Sequence, residues 1–493
     1  MEERLKNYTN LHYPEDMLSI IKNGLKKPKE PKTILIAGAG ISGLVAASLL
    51  KEAGYHVIII EGNNRVGGRI FTVRYPFTDG NYLDMGAMRI PSNHALVLEY
   101  IKRFNLVLNP FNNSSPKDFI FVNNVITTQG DYEKDPEILN YPLADWEEGK
   151  TATELLQLAV QPFLDLYDKS TVEEKEKLKK KYSDYSMGRY LANNPLGPSM
   201  SNNAIRMINV LLGIEGFPEF SFVDILTDII YPIFNKKTKF FEILGGNDQL
   251  PKSFLNQLEN DIYFNQKITK IYQNDDGVIF ETKDLLTGKT SLFKGDAAII
   301  TLPFSVLQFI EILPFDSVSY KKRQAIAELM MVPSIKIGIE FKNRFWEQLG
   351  YGNIISDRPT RFTYIPSHAS RYTSTGVLLA SYSWGQNALL WNSLTQDQIT
   401  QYVLRDLAEV YGPIVYREYL QSLSFNWSQN PFSAGCFTLF TPGQENNIAD
   451  FIRNPEGKLH FAGEHTSDFH GWIEGGVESG IRTAYEVNLS TLN

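Results

Sequence analysis

The chain has 493 residues, 43% of them hydrophobic, 12% aromatic and 21% charged, and a formal net charge of −8. That balance belongs to a water-soluble globular protein and excludes disordered, collagen-like and membrane-embedded classes. At roughly 150 residues per domain the length suggests about three folding units. A mildly acidic chain without a basic stripe is a poor match for nucleic acid or an anionic membrane, so neither partner is expected. The one cysteine, Cys436, leaves no intramolecular disulfide and no Cys-rich metal site.

Residues 1–33 carry scattered charges and lack the apolar core of a secretory signal. No run of about 18 apolar residues suggests a membrane span. A cytoplasmic location is the expectation.

Residues 14–25 read as an amphipathic helix followed by a basic linker. Thr33–Ala37 reads as a buried strand, followed by a glycine turn and an Ala/Leu helix to about Ala53. Gly54 stops that helix, and His56–Ile60 is the next strand. The unit has the size of a βαβ crossover. Residues 151–168 and 172–182 suit helices, with Ser170 and Glu173 spaced as a capping box at the second start. The charge-dense run 173–181 reads as a solvated helix face. Residues 268–272 and 278–282 flank Asp275-Asp276-Gly277, a hairpin signal. Strands are expected at 296–302, 335–342, 376–384 and 459–462, and a last helix after about Gly475.

The first strand ends in Gly38-Ala39-Gly40-Ile41-Ser42-Gly43. Gly38 permits a tight turn, Gly40 lets backbone approach a pyrophosphate, and Gly43 lets helix and strand pack closely. The helix N-terminus then offers N–H groups to phosphate. Glu61 lies 18 residues past Gly43 at the end of the second strand, where a carboxylate accepts from ribose hydroxyls. A glycine turn without a ligand is the alternative. Past the acid come Arg65, Gly67, Gly68, Arg69 and Thr72, a second cationic, glycine-rich loop that suits a longer dinucleotide. No metal-ligand spacing and no nucleophile elbow occur, so no metal is expected.

This extended pattern resembles the flavin amine oxidase superfamily. Segments 83–91, 245–251, 380–385, 461–466 and 470–474 are similar to the L-amino-acid oxidases, bacterial and snake-venom. The resemblance runs in order from about Tyr13 to Asn488. It implies an α/β architecture: a Rossmann-type FAD-binding domain (30–75, 240–325 and 445–493), a mixed α+β substrate domain (1–29, 76–135 and 326–444) and a helical insertion (136–239). It implies oxidation of L-amino acids by oxygen, giving 2-oxo acid, ammonia and hydrogen peroxide. Amine or polyamine oxidases and decarboxylating amino-acid monooxygenases of the same superfamily are the alternatives. A homodimer is one option for assembly.

Arg89 sits in an apolar frame, where an unpaired guanidinium is costly and a carboxylate is its natural partner. The resemblance assigns that partner to the substrate, with Tyr382 as a second donor. An internal ion pair is the alternative. Lys336, in an apolar strand, is either a solvent-facing alternate or the family's lysine beside the flavin. Phe437 and Trp472 match two aromatic walls around the substrate amine, with Gly471 beside them. The resemblance aligns Ser42, Gly62, Arg69, Gly86, Ala87, Met88, Arg89, Glu464, Gly471, Trp472 and Ile473 along FAD, and sets Ile268 against the adenine half. Two positions depart from the pattern. Asp228 stands where the venom enzymes carry a histidine; near the pocket mouth it would favour cationic side chains, and otherwise it is a helix-surface carboxylate. Cys436 stands in a context like that of the cysteine that carries flavin in monoamine oxidases, although the L-amino-acid oxidases bind FAD without a bond.

Overall fold

A computed structural model describes residues 11–214, 216–230, 237–368 and 374–492. The strand β1 (Thr33–Ala37) leads into α1 (Ile41–Ala53) and β2 (His56–Ile60). These strands pair in parallel with Ile262–Tyr263 on one side and with Ala297–Ile300 and then Leu459–Phe461 on the other. β1 is apolar along its length because both faces of a parallel sheet are covered. α1 is apolar almost all round, and nearly all of it is buried. It packs against the last long helix, α2 (Ile473–Thr491). A Cβ at Gly476 would lie 2.6 Å from Ile41, and one at Gly480 would lie 2.6 Å from the Ser42 carbonyl. Glycine therefore sets the separation of these two helices.

The β1–α1 turn has the form that its glycines predict. Gly38 has φ +105, the left-handed region that favours glycine. A Cβ at Gly43 would meet the Gly38 carbonyl oxygen at 2.1 Å, whereas one at Gly40 would meet nothing within 4 Å. Gly43 is thus a packing residue, and Gly40 faces open space.

A seven-stranded sheet forms a second body. Its centre is β3 (Ser334–Phe341) paired antiparallel with β4 (Gly376–Trp384), which sets Lys336 opposite Tyr382. Helices Ala152–Lys169, Met187–Ala192 and Asn202–Leu212 enclose a third core that includes Leu155, Phe163, Tyr190 and Met207. The part of the expected helical insertion at 231–236 lies outside the described residues. The helix Glu15–Asn23 packs on Ala95–Arg103 and α2, within the core of the parallel sheet. The expected boundary at 29/30 separates it from that core.

Most expected elements form close to their expected limits, including β4 and the hairpin of Gln266–Asn274 with Gly277–Asp284. The capping box sits one residue later than expected: Thr171 and Glu174 cap Val172–Tyr182 reciprocally. Ser170 instead turns its hydroxyl back to the Leu166 carbonyl and closes the preceding helix. Among the described residues no helix is long and apolar enough to cross a membrane.

Substituting Gly43→Ala should destabilise the protein by about 2 kcal/mol or more, since backbone must shift to admit the methyl. Gly40→Ala should change stability by less than about 1 kcal/mol. Urea unfolding of the two variants checks the contrast.

Candidate active site

A cavity of about 1500 Å³ is bounded by the β1–α1 turn, the segment 85–89, the end of β4 and the segment 471–473. Gly38, Gly40 and Ser42 line it, and no side chain caps the N-terminus of α1 there. The first-turn N–H groups of α1 are therefore available to an anion. Glu61 is buried and lines the same end, with Gly62 beside it. Its carboxylate accepts from Ala39 N and Asn63 N, both at 2.7 Å. Burial raises its pKa, and those N–H groups oppose the rise. Each oxygen keeps a lone pair for a hydroxyl. An open glycine, uncapped helix N–H groups and a buried acid together fit an FAD-type dinucleotide.

Gly86, Ala87, Met88 and Ile473 also line the cavity. Gly43 and Ile268 are not in its wall, Gly43 because it has the packing role its spacing predicts. Gly43 packs α1 on its own turn. Ile268 lies in the core at a bulge in Gln266–Asn274 and is not part of the wall. Arg69 lines the cavity, but its charge is already matched: Nη1 donates to Glu464 at 2.5 Å and to the Cys436 carbonyl at 3.3 Å. Glu464 also accepts from Thr438 N and Gly471 N, both at 3.1 Å. The guanidinium expected to counter phosphate is also part of a clamp joining three wall segments.

Arg89 is half-buried in the wall. Its Nη1 donates to Asn113 Oδ1, its guanidinium lies 5.7 Å from the Phe240 ring, and its charge opposes the rise that burial gives the nearby Tyr364 phenol. Among the described residues no carboxylate stands within 4.0 Å of it. Tyr382 lines the cavity nearby, its ring 4.1 Å from Trp384. Burial raises the Tyr382 phenol, keeping it a neutral donor.

Lys336 is 1% exposed, so the solvent-facing reading is excluded. Its Nζ donates to the Asp84 and Gly86 carbonyls at 3.0 and 2.6 Å and lies 4.5 Å from the centre of the Tyr382 ring. It stands directly behind the wall that Gly86 forms. Burial pushes the Lys336 ammonium down to about 7 and the Asp84 carboxyl up to about 7.

Trp472 and Phe437 both line the cavity. Trp472 donates Nε1–H to the Asp228 carbonyl at 2.6 Å and meets His94 edge-on at 5.1 Å. A Cβ at Gly471 would crowd the Phe437 ring at 3.3 Å, and its φ of +81 suits glycine. Cys436 is a free thiol in the wall that donates to the Val332 carbonyl at 3.0 Å, and burial pushes it up to about 12.

Asp228 differs from both readings of the sequence. It lies neither at the cavity mouth nor on a helix surface. It is buried in the π-helical turn Ile225–Ile230 and accepts from His470 N at 2.9 Å. The His470 ring meets Asp224 at 3.0 Å. Burial works against the charged imidazolium, but Asp224 and Asp228 outweigh it and raise His470 to about 10. This buried trio fixes the backbone just before Gly471 and Trp472. Asp224, Asn113 and Tyr364 are site neighbours that the sequence did not single out. Asn113 reads there as one of several polar loop residues, and only the fold brings it to Arg89.

His470 holds its proton more tightly folded than at its ordinary value of 6.5. Its stabilising contribution is complete below that value and is lost as pH rises through about 10. Urea unfolding of wild type should weaken over that interval. Asp224→Asn should flatten the dependence and lower stability at pH 7 by about 3 kcal/mol, the scale of a broken buried pair.

Residues 41–488 match the family described as flavin containing amine oxidoreductase. The YobN protein of Bacillus subtilis (strain 168) is 45% identical over 476 residues, 96% of this chain and 98% of its own. An L-amino-acid oxidase of Siganus canaliculatus is 35% identical over 97% of this chain and 89% of its own. The solved cyclohexylamine oxidase from Brevibacterium oxydans IH-35A superposes with a TM-score of 0.74 over 94% of this chain and 99% of its own. At 20% identity that likeness speaks for the fold alone. The chain belongs to the flavin containing amine oxidoreductase family, and FAD is its cofactor.

Proposed function

We propose that this protein oxidatively deaminates L-amino acids, with oxygen as acceptor, to 2-oxo acids, ammonia and hydrogen peroxide. The observation that carries the reading is Arg89: a guanidinium in the cavity wall whose identified partners are all neutral. A substrate with an α-carboxylate supplies the missing charge; a simple amine does not. The L-amino-acid oxidases among the curated relatives support the same substrate class.

Bound FAD supplies a two-electron acceptor that oxygen reoxidises. The chain's own residues bind, orient and exclude water. In this reading Arg89 takes the carboxylate in a bidentate pair and Tyr382 adds its hydroxyl. Phe437 and Trp472 wall the amine, and the Gly471 turn keeps that wall close. With the carboxylate and amine fixed, the α-carbon has one orientation in the cavity, and orientation is a large share of catalysis. Lys336, with two N–H groups on backbone carbonyls, can hold or release a proton at Nζ behind the Gly86 wall. The glycine turn, Glu61 and the N-terminus of α1 would hold the cofactor. The three-part division of the chain remains part of the proposal.

A peroxide-coupled screen of L-amino acids, their D-forms and simple amines tests the activity. Turnover should be confined to L-amino acids, with equal yields of 2-oxo acid and peroxide. Turnover of amines alone, or a carboxamide product, would overturn it. Arg89→Ala should raise KM by about two decades or more, from the loss of a desolvated charge pair. A rise of less than about threefold would remove Arg89 from the carboxylate site.

A further inference from the structure

Among the described residues Arg89 is held without being neutralised. The segment that holds it is pinned on both sides. Phe111 N donates to the Phe240 carbonyl and Asn112 N to Ser367 Oγ, each at 2.8 Å. Beyond it, Ser115 N and Oγ both donate to Asp118 at 2.9 Å. Asp118, the carboxylate nearest in this segment, also accepts from Asn353 N at 3.0 Å and is 4% exposed. Its oxygens serve backbone, hydroxyl and side-chain amide donors, not the guanidinium. The residue left facing Arg89 Nη1 is Asn113, and it accepts through an amide oxygen. Tyr364 and the Phe240 face complete an uncharged set of partners. A guanidinium has five N–H donors, so these contacts leave a fork free for a carboxylate.

We propose that Asn113 is a specificity-determining residue of this site: its neutral amide orients the Arg89 guanidinium while leaving the positive charge available to the carboxylate of an incoming amino acid. The proposal rests on the L-amino-acid reading of the cavity. Aspartate has nearly the shape of asparagine but carries the charge that Arg89 lacks. At position 113 it would occupy the guanidinium from within and compete with substrate. An amine lacking the carboxylate would be spared that competition.

The test uses flavin-loaded wild type, N113D and N113A, matched for flavin content and thermal midpoint. Benzoate, a carboxylate without an α-amine, is titrated by its effect on the flavin absorbance. Steady-state rates are measured on L-phenylalanine and 2-phenylethylamine. N113D should weaken benzoate and raise the L-phenylalanine KM about tenfold or more, as an internal ligand holding Arg89 about nine-tenths of the time dictates. Its kcat should stay within about twofold, since the transition-state contacts of the bound substrate are unchanged. Any 2-phenylethylamine KM should not rise. N113A loses one hydrogen bond and should weaken benzoate only about threefold.

Wild-type benzoate affinity in N113D overturns the proposal, and so does an equal loss in N113A and N113D, which would make the effect one of shape rather than charge. If N113D does not fold, unchanged benzoate affinity in N113A overturns it and a threefold loss supports it. The functional reading fails separately, by absence of L-phenylalanine turnover in wild type. The benzoate titration still decides the role of Asn113 in that case.

Discussion

The walls of the cavity are held together by one buried carboxylate. Glu464 accepts from the Arg69 guanidinium, from Thr438 N and from Gly471 N, and so ties three distant stretches of chain into one rim. Each stretch brings a neighbour to the site: Gly67 and Gly68 with Arg69, Cys436 and Phe437 with Thr438, Trp472 with Gly471. A buried pair of this kind adds little net stability, because desolvation offsets the attraction. Its value is geometric: three N–H donors converge on two oxygens, and few other arrangements of those segments satisfy all of them.

The two ends of the cavity use charge in opposite ways. At the nucleotide end Arg69 is already matched by Glu464, and the attraction for an anion falls to backbone N–H groups and the N-terminus of α1. At the far end Arg89 is left with neutral partners. The unbalanced cation thus lies on the part of the wall that the proposed reading gives to the substrate carboxylate. The trio of Asp224, Asp228 and His470 lies beneath this end and fixes the approach to Trp472 from behind.

The sequence announces features that depend on near neighbours. The β1–α1–β2 unit, the hairpin at 274–277 and β4 follow from local pattern, and the separate tasks of Gly38, Gly40 and Gly43 follow from spacing. What depends on distant pairing is hidden. Arg69 beside the glycine turn reads as a phosphate ligand alone, and its pairing with Glu464, far along the chain, leaves no local signal. Asp228 reads as a surface or mouth residue because its helix looks ordinary; the π-helical turn and His470 draw it inward. Asn113 carries no signal at all, since a loop asparagine is among the commonest of residues. Lys336 is the intermediate case: strand alternation raises two readings, and burial selects one.

The glycine-spaced contact between α1 and α2 joins the first crossover of the chain to its last twenty or so residues. Leu459–Phe461 likewise completes the edge of the sheet that β1 begins. Without these partners the sheet would lack a strand, and the helix that follows the glycine turn would have one side bare. The nucleotide cradle therefore takes its shape only when segments more than 400 residues apart have met, and a loosened 459–491 segment would unsettle a turn it never touches in sequence.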